Sequence, residues 1–474
     1  MTQSTIDRLI QLGSRPRAVL VGVQLEGVAT EDLRASLAEL GRLVDTLGFD
    51  VVGEVTQKRP KLSPAAALGA GKLKVLAEHT GGTGTIPSGA KKKLQKKDLH
   101  KPSAEPIDDD DDEDNDDEDG ASKPAPKVKA TVVVVDNELS PSQLRNLERA
   151  TGVEVLDRAG VIIEIFHRHA RTKEAQLQVE IARLQYEAPR MREKDSSGDR
   201  QRGDGHGGKG DDDVELDRRR IRDRIAELKE ELEEQTKEAA TRRKRRRDAM
   251  RIALVGYTNA GKSSLMRALT GHDVLVADKL FATLGTTVRA IHPQTHPRIL
   301  VSDTVGFIKS LPHGLVASFR STLDEANEAS LLLFVVDASD PACRAQLAVT
   351  RSVISELGAK DLAAKQVPSM IILNKCDRLD ALERKSLLLE FPHAVAMSAL
   401  DDDDVKRLYG ILVQHFEDGM EEATLLVPYS KQGAIGAIRE SARVVKEDWE
   451  QDGLKLLLRA PHEDMARLRS LLIA

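Results

Sequence analysis

Ile252-Ala253-Leu254-Val255-Gly256-Tyr257-Thr258-Asn259-Ala260-Gly261-Lys262-Ser263 is the stretch on which the fold turns. Four apolar residues run into Gly-x4-Gly-Lys-Ser without a gap. Such a short apolar run reads as a buried strand, and the residues after Ser263 suit a helix. Strand, glycine-rich turn and helix start together present backbone N–H groups to an anion. A P-loop needs this setting, which makes the motif specific. Gly256, Tyr257, Thr258, Asn259, Ala260 and Gly261 form the cradle, Lys262 reaches the β- and γ-phosphates, and the Ser263 hydroxyl suits Mg2+.

Three further strings follow in order. Asp303-Thr304-Val305-Gly306 closes an apolar run, so its carboxylate stands at the mouth of the site, where it would hold Mg2+ through water. The small Gly306 can offer its N–H to the γ-phosphate. Between these strings lies Phe281-Ala282-Thr283-Leu284-Gly285-Thr286-Thr287, a candidate switch. Chemistry alone leaves Thr283, Thr286 and Thr287 open as the threonine that closes on the metal. Asn374-Lys375-Cys376-Asp377 then supplies base recognition. The Asp377 carboxylate accepts from guanine N1–H and N2–H2, a donor pair adenine lacks, so ATP would leave a carboxylate unpaired. Lys375 lays its stem along the base and Asn374 braces neighbouring loops. Ser398-Ala399-Leu400 follows the last strand, where its backbone can touch the base O6. The residue after Asp303-x-x-Gly306 is Phe307, where small GTPases often carry a water-orienting glutamine. Slow intrinsic hydrolysis is expected.

Strands are expected at 252–255, 299–302, 331–336, 370–373 and 394–397, mostly separated by helices. That pattern is a doubly wound α/β sheet with ligand loops at the strands' carboxyl ends. Upstream, 17–24, 49–55 and 131–135 read as strands. Leu33, Leu37, Leu40, Val44 and Leu47 share a helical face, and 139–150 reads as a helix starting near Ser140 or Pro141. Two amphipathic stretches, 173–188 and 214–238, carry Leu177, Ile181 and Leu184 on one and Ile221, Ile225, Leu228 and Leu232 on the other. They suggest an antiparallel helical hairpin with a Gly/Asp-rich tip at 195–213. The second ends in the basic run Arg242 to Arg247.

The expected fold class is thus α/β and multidomain. Residues 1–170 form a small α/β N-terminal subdomain, 171–246 the helical hairpin, 247–420 a P-loop GTPase domain and 421–474 a small C-terminal α+β domain with possible strands at 425–427 and 454–458. A disordered acidic insertion is expected at about 83–129. The 474 residues are too many for one ordinary core. Aromatics at 3% and charges at 31% favour long exposed helices over a β-rich protein. Residues 108–119 hold eleven acids; without them the net charge of −6 becomes roughly +5. That remainder permits a nucleic-acid partner, and the acidic run could meet a basic one. No apolar run approaches a membrane span, and the first ten residues lack a signal-peptide core. Cys343 and Cys376 show no metal or disulfide spacing and read as free thiols in a reducing cytoplasm. His167 and His169 lack metal-spaced partners and read as surface residues.

Beyond the nucleotide strings, the chain carries Gln57-Lys58-Arg59-Pro60, Gly69-Ala70-Gly71-Lys72, DNELSPSQLRNLE from Asp136, and VLDRAGVIIEIFHRHARTKEAQLQVEIARLQYEAPR from Val155. ELDRRRIRDRI from Glu215, KLFATL from Lys279, DTVGFIKSLPH from Asp303 and VVDASDP from Val335 continue the pattern. Together these resemble the HflX GTPases of the translation-factor-related class over most of the chain. The resemblance implies a monomer that binds GTP, GDP and Mg2+ and hydrolyses GTP with Lys262, Thr283 and Gly306 at the reaction centre. It also implies Ser263, Thr283 and Asp303 around the metal, and binding to the large ribosomal subunit and its RNA to split or rescue ribosomes or to mature subunits. Two departures stand out. The acidic insertion is longer than the family's connection, and the tip reads Gly205-His206-Gly207-Gly208-Lys209-Gly210-Asp211-Asp212-Asp213 where the family has a Gly-Pro-Gly-Glu type sequence. A second reading is therefore a divergent ribosome- or RNA-binding module with nucleotide as a structural ligand. An RNA-remodelling ATPase is disfavoured by Asp377.

Overall fold

The computed structural model describes residues 15–86, 129–191, 209–244, 250–271, 280–281, 287–309, 326–358 and 367–473. It divides into two compact units, Met1–Arg158 and Ala159–Ala474.

The first unit is a four-stranded parallel sheet with helices. In chain order it holds β1 (Arg17–Gln24), α1 (Thr30–Thr46), β2 (Asp50–Lys58), α2 (Ala70–Thr80), β3 (Val132–Val135), α3 (Pro141–Thr151) and β4 (Glu154–Asp157), with strand order β2-β1-β3-β4. The leucine face expected on α1 is buried as read, at Leu33, Leu37, Leu40, Val44 and Leu47. Ser140 caps α3 in a capping box with Gln143, and Pro141 takes the first turn, where its missing N–H costs nothing. The sequence reading did not anticipate α2 or β4. At the end of the unit Arg158 is buried and donates to Asp136 at 2.9 Å and Glu39 at 2.8 Å. Burial opposes its charge, but the two carboxylates outweigh burial and raise its pKa. Of the acidic insertion, residues 87–128 lie outside the described residues.

The second unit opens with α4 (Arg158–His169), which crosses the division, followed by α5 (Lys173–Met191) and α6 (Lys209–Lys244). The last two form the expected hairpin. Leu177, Ile181, Leu184 and Leu228 make its core, with Ile221, Ile225 and Leu232 against it. Lys173 pairs with Glu231 and Glu180 with Arg224, so the helices run antiparallel. The start of α6 corrects the expected boundary at 214: the helix begins at Lys209 and takes in Asp211, Asp212 and Asp213. Residues 192–208 of the tip lie outside the description.

The central sheet follows: β5 (Met250–Gly256), α7 (Lys262–Thr270), β6 (Thr287–Ala290), β7 (Ile299–Asp303), β8 (Leu331–Asp337), α8 (Cys343–Gly358), β9 (Ser369–Asn374), α9 (Ala381–Glu390), β10 (Val395–Ala396) and α10 (Asp402–Asp418). Strand order is β10-β9-β8-β5-β7-β6, parallel except for the β6–β7 pair. The chain leaves β5 toward β7 and returns on the other side at β8. This reversal opens a crevice at the carboxyl end of β5, where ligands of such sheets bind. The sequence reading missed β6, a short strand with no buried face. Last come β11 (Glu421–Pro428), α11 (Ala434–Ser441), β12 (Arg443–Glu450), β13 (Gly453–Ala460) and α12 (His462–Ile473), an antiparallel sheet with its own core. No helix among the described residues is long and apolar enough to cross a membrane.

Candidate nucleotide-binding site

The four motifs converge at the carboxyl edge of the central sheet because each follows a strand of it. Gly256 ends β5 beside Val335 of β8. A methyl group there would stand 2.2 Å from the Val335 carbonyl oxygen, so only glycine lets the strands pair. Asn259 (φ 60°) and Gly261 (φ 90°) are left-handed, the kind of backbone from which anion-binding concavities are built. Lys262 opens α7 with its ammonium buried, donating to the carbonyls of Gly256 at 3.1 Å and Tyr257 at 2.8 Å. Burial lowers its pKa to about 8; Asp303 opposes that shift and Lys375 adds to it.

Asp303 and Thr304 are fully buried at the end of β7. The Ser263 hydroxyl donates to Asp303 Oδ2 at 2.6 Å, and the Thr304 hydroxyl to the Leu254 carbonyl at 2.6 Å. Val305 is buried, and Gly306 packs against the P-loop. The next residue, Phe307, is 1% exposed. Its N–H donates to Gly256 O at 3.1 Å, and its carbonyl accepts from Thr258 N–H at 2.8 Å. The Lys309 N–H donates to the Tyr257 hydroxyl at 2.8 Å. Three bonds therefore stitch the P-loop to the segment after Gly306.

Asn374 joins two other loops. Its Nδ2 donates to Ala260 O at 2.9 Å, and its Oδ1 accepts from Ala399 N–H at 3.0 Å. The same amide lies where a side chain on Gly261 would go, at 2.2 Å. Lys375, left-handed at φ 62°, donates to Asn259 O and to Asp337 Oδ2, both at 2.7 Å. The Cys376 thiol is buried, donates to Leu373 O at 3.2 Å, and has its pKa raised by burial. Asp377 sits exposed in a one-turn 3-10 helix. Ser398 N–H donates to Asp404 Oδ2 at 2.8 Å and Leu400 N–H to Ser398 Oγ at 3.3 Å, so Ser398 and Ala399 both spend their N–H groups on protein acceptors.

The candidate switch is only partly described. Ala282, Thr283, Leu284, Gly285 and Thr286 lie outside the described residues. Thr287 lies in β6, paired in register with Asp303. Phe281 is left-handed at φ 58°, and its ring packs edge-on against Phe166 of α4 with centroids 4.6 Å apart. A bulky residue in that region costs about 1–3 kcal/mol. Sequence reasoning missed Asp337, the Tyr257 hydroxyl and Phe166. Asp337 alone had a readable signal, an acid ending an apolar strand. His167 is exposed, and no cluster able to hold a metal occurs among the described His, Cys, Asp and Glu residues.

Known proteins resemble this chain along most of its length. Residues 251–375 match a family described as 50S ribosome-binding GTPase, 169–246 match GTP-binding GTPase Middle Region, and 34–85 with 122–167 match GTP-binding GTPase N-terminal. The GTPase HflX of Gluconacetobacter diazotrophicus is 56% identical over 97% of this chain and 98% of its own. That of Caldanaerobacter subterraneus is 33% identical over 97% and 94%. The crystal structure of a GTP-binding protein from Sulfolobus solfataricus in complex with GDP covers 84% of this chain and 99% of that one, at 22% identity and a TM-score of 0.41.

Proposed function

This chain belongs to the HflX family of GTPases, binds GTP and GDP and hydrolyses GTP, and we propose that its GTP cycle governs binding to the large ribosomal subunit, in ribosome splitting, rescue or subunit maturation. The observation that carries the reading is Asn374, which ties the P-loop at Ala260 to the Ala399 loop and so unites phosphate and base recognition. In this reading the loop from Gly256 to Gly261 and Lys262 hold the phosphates. Asp377 accepts from the guanine N1–H and N2–H2, with Lys375 along the ring. The Ser263 hydroxyl and the Asp303 carboxylate, 2.6 Å apart, form a hard oxygen pair that suits Mg2+, with Thr283 as the third protein ligand. The metal would neutralise charge on the β- and γ-phosphates. The protein's own residues bind, orient and exclude water around them. The proposed setting is the cytoplasm, as a monomer, with a basic partner for the acidic run.

The catalytic deficit supplies the test. Phe307 is buried and carries no polar group for water, so basal turnover is slow. Purified large subunits should raise it at least about tenfold, a modest fraction of what partner-completed GTPases reach. A fast basal rate that ignores subunits would argue against this reading. Turnover absent with and without subunits would instead favour the second reading, a binding module in which nucleotide is structural.

The hairpin tip gives a separate expectation. Asp211, Asp212 and Asp213 bring three negative charges to the start of α6. Phosphate repulsion is screened within about 10 Å at 0.1 M salt. Changing all three to asparagine should tighten large-subunit binding several-fold at low salt, with the gain shrinking as salt rises. Equal affinities across a salt titration would remove the tip from the RNA interface.

A further inference from the structure

We propose that the Thr258 hydroxyl holds the attacking water against the γ-phosphate, the task that Phe307 cannot perform. The inference rests on the nucleotide reading of this site and assigns a role within it. Thr258 is 7% exposed, and its Oγ1 is buried with no hydrogen-bond partner among the described residues. A buried hydroxyl left unsatisfied is destabilising, and valine would fill the same space without that cost. Such groups in native proteins call for an explanation.

Location supplies one. A methyl group on Gly306 would stand 2.8 Å from Thr258 Cα, 2.9 Å from Thr258 Cγ2 and 3.0 Å from Lys262 Nζ. Three groups therefore meet at one point: Gly306 and the Lys262 ammonium, which the nucleotide reading sets at the γ-phosphate, and the Thr258 side chain, whose Cγ2 is its nearest side-chain atom. The backbone there is pinned, since Thr258 N–H donates to Phe307 O at 2.8 Å and Phe307 N–H to Gly256 O at 3.1 Å. Thr258 thus keeps its position relative to Gly306. A hydroxyl offers one donor and two acceptor sites. It can accept from one O–H of the water and so turn the water oxygen toward the γ-phosphorus, with no bond of its own to the nucleotide. The water oxygen then bonds to Pγ, the Pγ–O bond to the β-phosphate breaks with its electron pair, and the water's proton ends on phosphate. GDP and inorganic phosphate leave, and Thr258 neither gains nor loses a proton.

The test compares the full-length parent with Thr258→Val and Thr258→Ser. Single-turnover GTP cleavage is followed with and without large subunits, GTP and GDP affinities by titration with a fluorescent analogue, and stability by thermal melting without nucleotide. Valine should slow cleavage about 10- to 100-fold in both settings, the scale of one lost hydrogen bond to the reacting group. Its GTP and GDP affinities should stay within about twofold and its melting temperature should hold or rise, because an unsatisfied hydroxyl has gone. Serine should cleave within a few-fold of the parent. Cleavage by the valine variant at the parental rate would overturn the proposal. So would affinities that fall in step with the rate, or a lower melting temperature, since either means that the hydroxyl has a binding or structural partner. A parent that neither binds nor cleaves GTP would instead sink the reading of the whole site.

Discussion

Lys262→Met is expected to lose GTP and to fold more stably than the parent. Two charge-assisted bonds to phosphate disappear, about 3–4 kcal/mol or roughly 10²–10³-fold in Kd. The same ammonium is buried, donating to Gly256 O and Tyr257 O, and burial depresses its pKa from 10.5 to about 8. Between those values the unfolded chain holds a proton that the folded one has lost, so stability rises with pH there. The penalty is therefore full below pH 8 and fades as pH climbs toward 10.5. It amounts to about 3 kcal/mol. Denaturant unfolding without nucleotide should find Lys262→Met more stable at pH 7 and the two proteins converging near pH 10.5. Methionine is chosen because it fills the lysine's channel without a charge. Undiminished GTP affinity in that variant would remove Lys262 from the site. A parental pH profile in the variant would mean that burial of this ammonium is not what costs stability.

Asp377→Asn should exchange guanine for xanthine. The carboxylate is exposed at the rim, in the short turn that follows Asn374 and Lys375. Its two oxygens match the N1–H and N2–H2 donors of guanine. Asparagine keeps one acceptor and puts a donor where the second stood, which suits the xanthine C2 carbonyl. GTP should weaken by about 3 kcal/mol or more, roughly 10²–10³-fold, with xanthosine triphosphate gaining a comparable factor. Because Asp377 lies apart from the Lys262–Asp303 cluster, the maximal cleavage rate with the matched nucleotide should be close to the parent's. A variant that binds both nucleotides as the parent does would defeat the guanine assignment.

The parts of this protein that short-range chemistry sets can be read directly from its residues. The order of the four nucleotide strings, the parallel strands that carry them and the hairpin stripe were all legible, because strand and helix periodicity and turn chemistry act over a few residues. The helix start near Ser140 or Pro141 and the leucine face of α1 were legible for the same reason, while the reciprocal Ser140–Gln143 cap was not read. Elements without an apolar period stayed hidden: β6 has no buried face, and β12 is a mostly exposed edge strand of charged residues. Which distant groups share a site follows from packing alone. Asp337 meets Lys375 across 38 residues, and the Tyr257 hydroxyl receives Lys309 N–H across 52. Asp136 and Glu39 close on Arg158 from separate elements. The Thr258 hydroxyl is unremarkable in the string Gly256-Tyr257-Thr258-Asn259. It becomes a candidate for chemistry only when folding buries it beside Gly306 and Lys262 with no hydrogen-bond partner among the described residues. Burial and the close approach of chain-distant atoms are properties of packing, and no local pattern of residues encodes them.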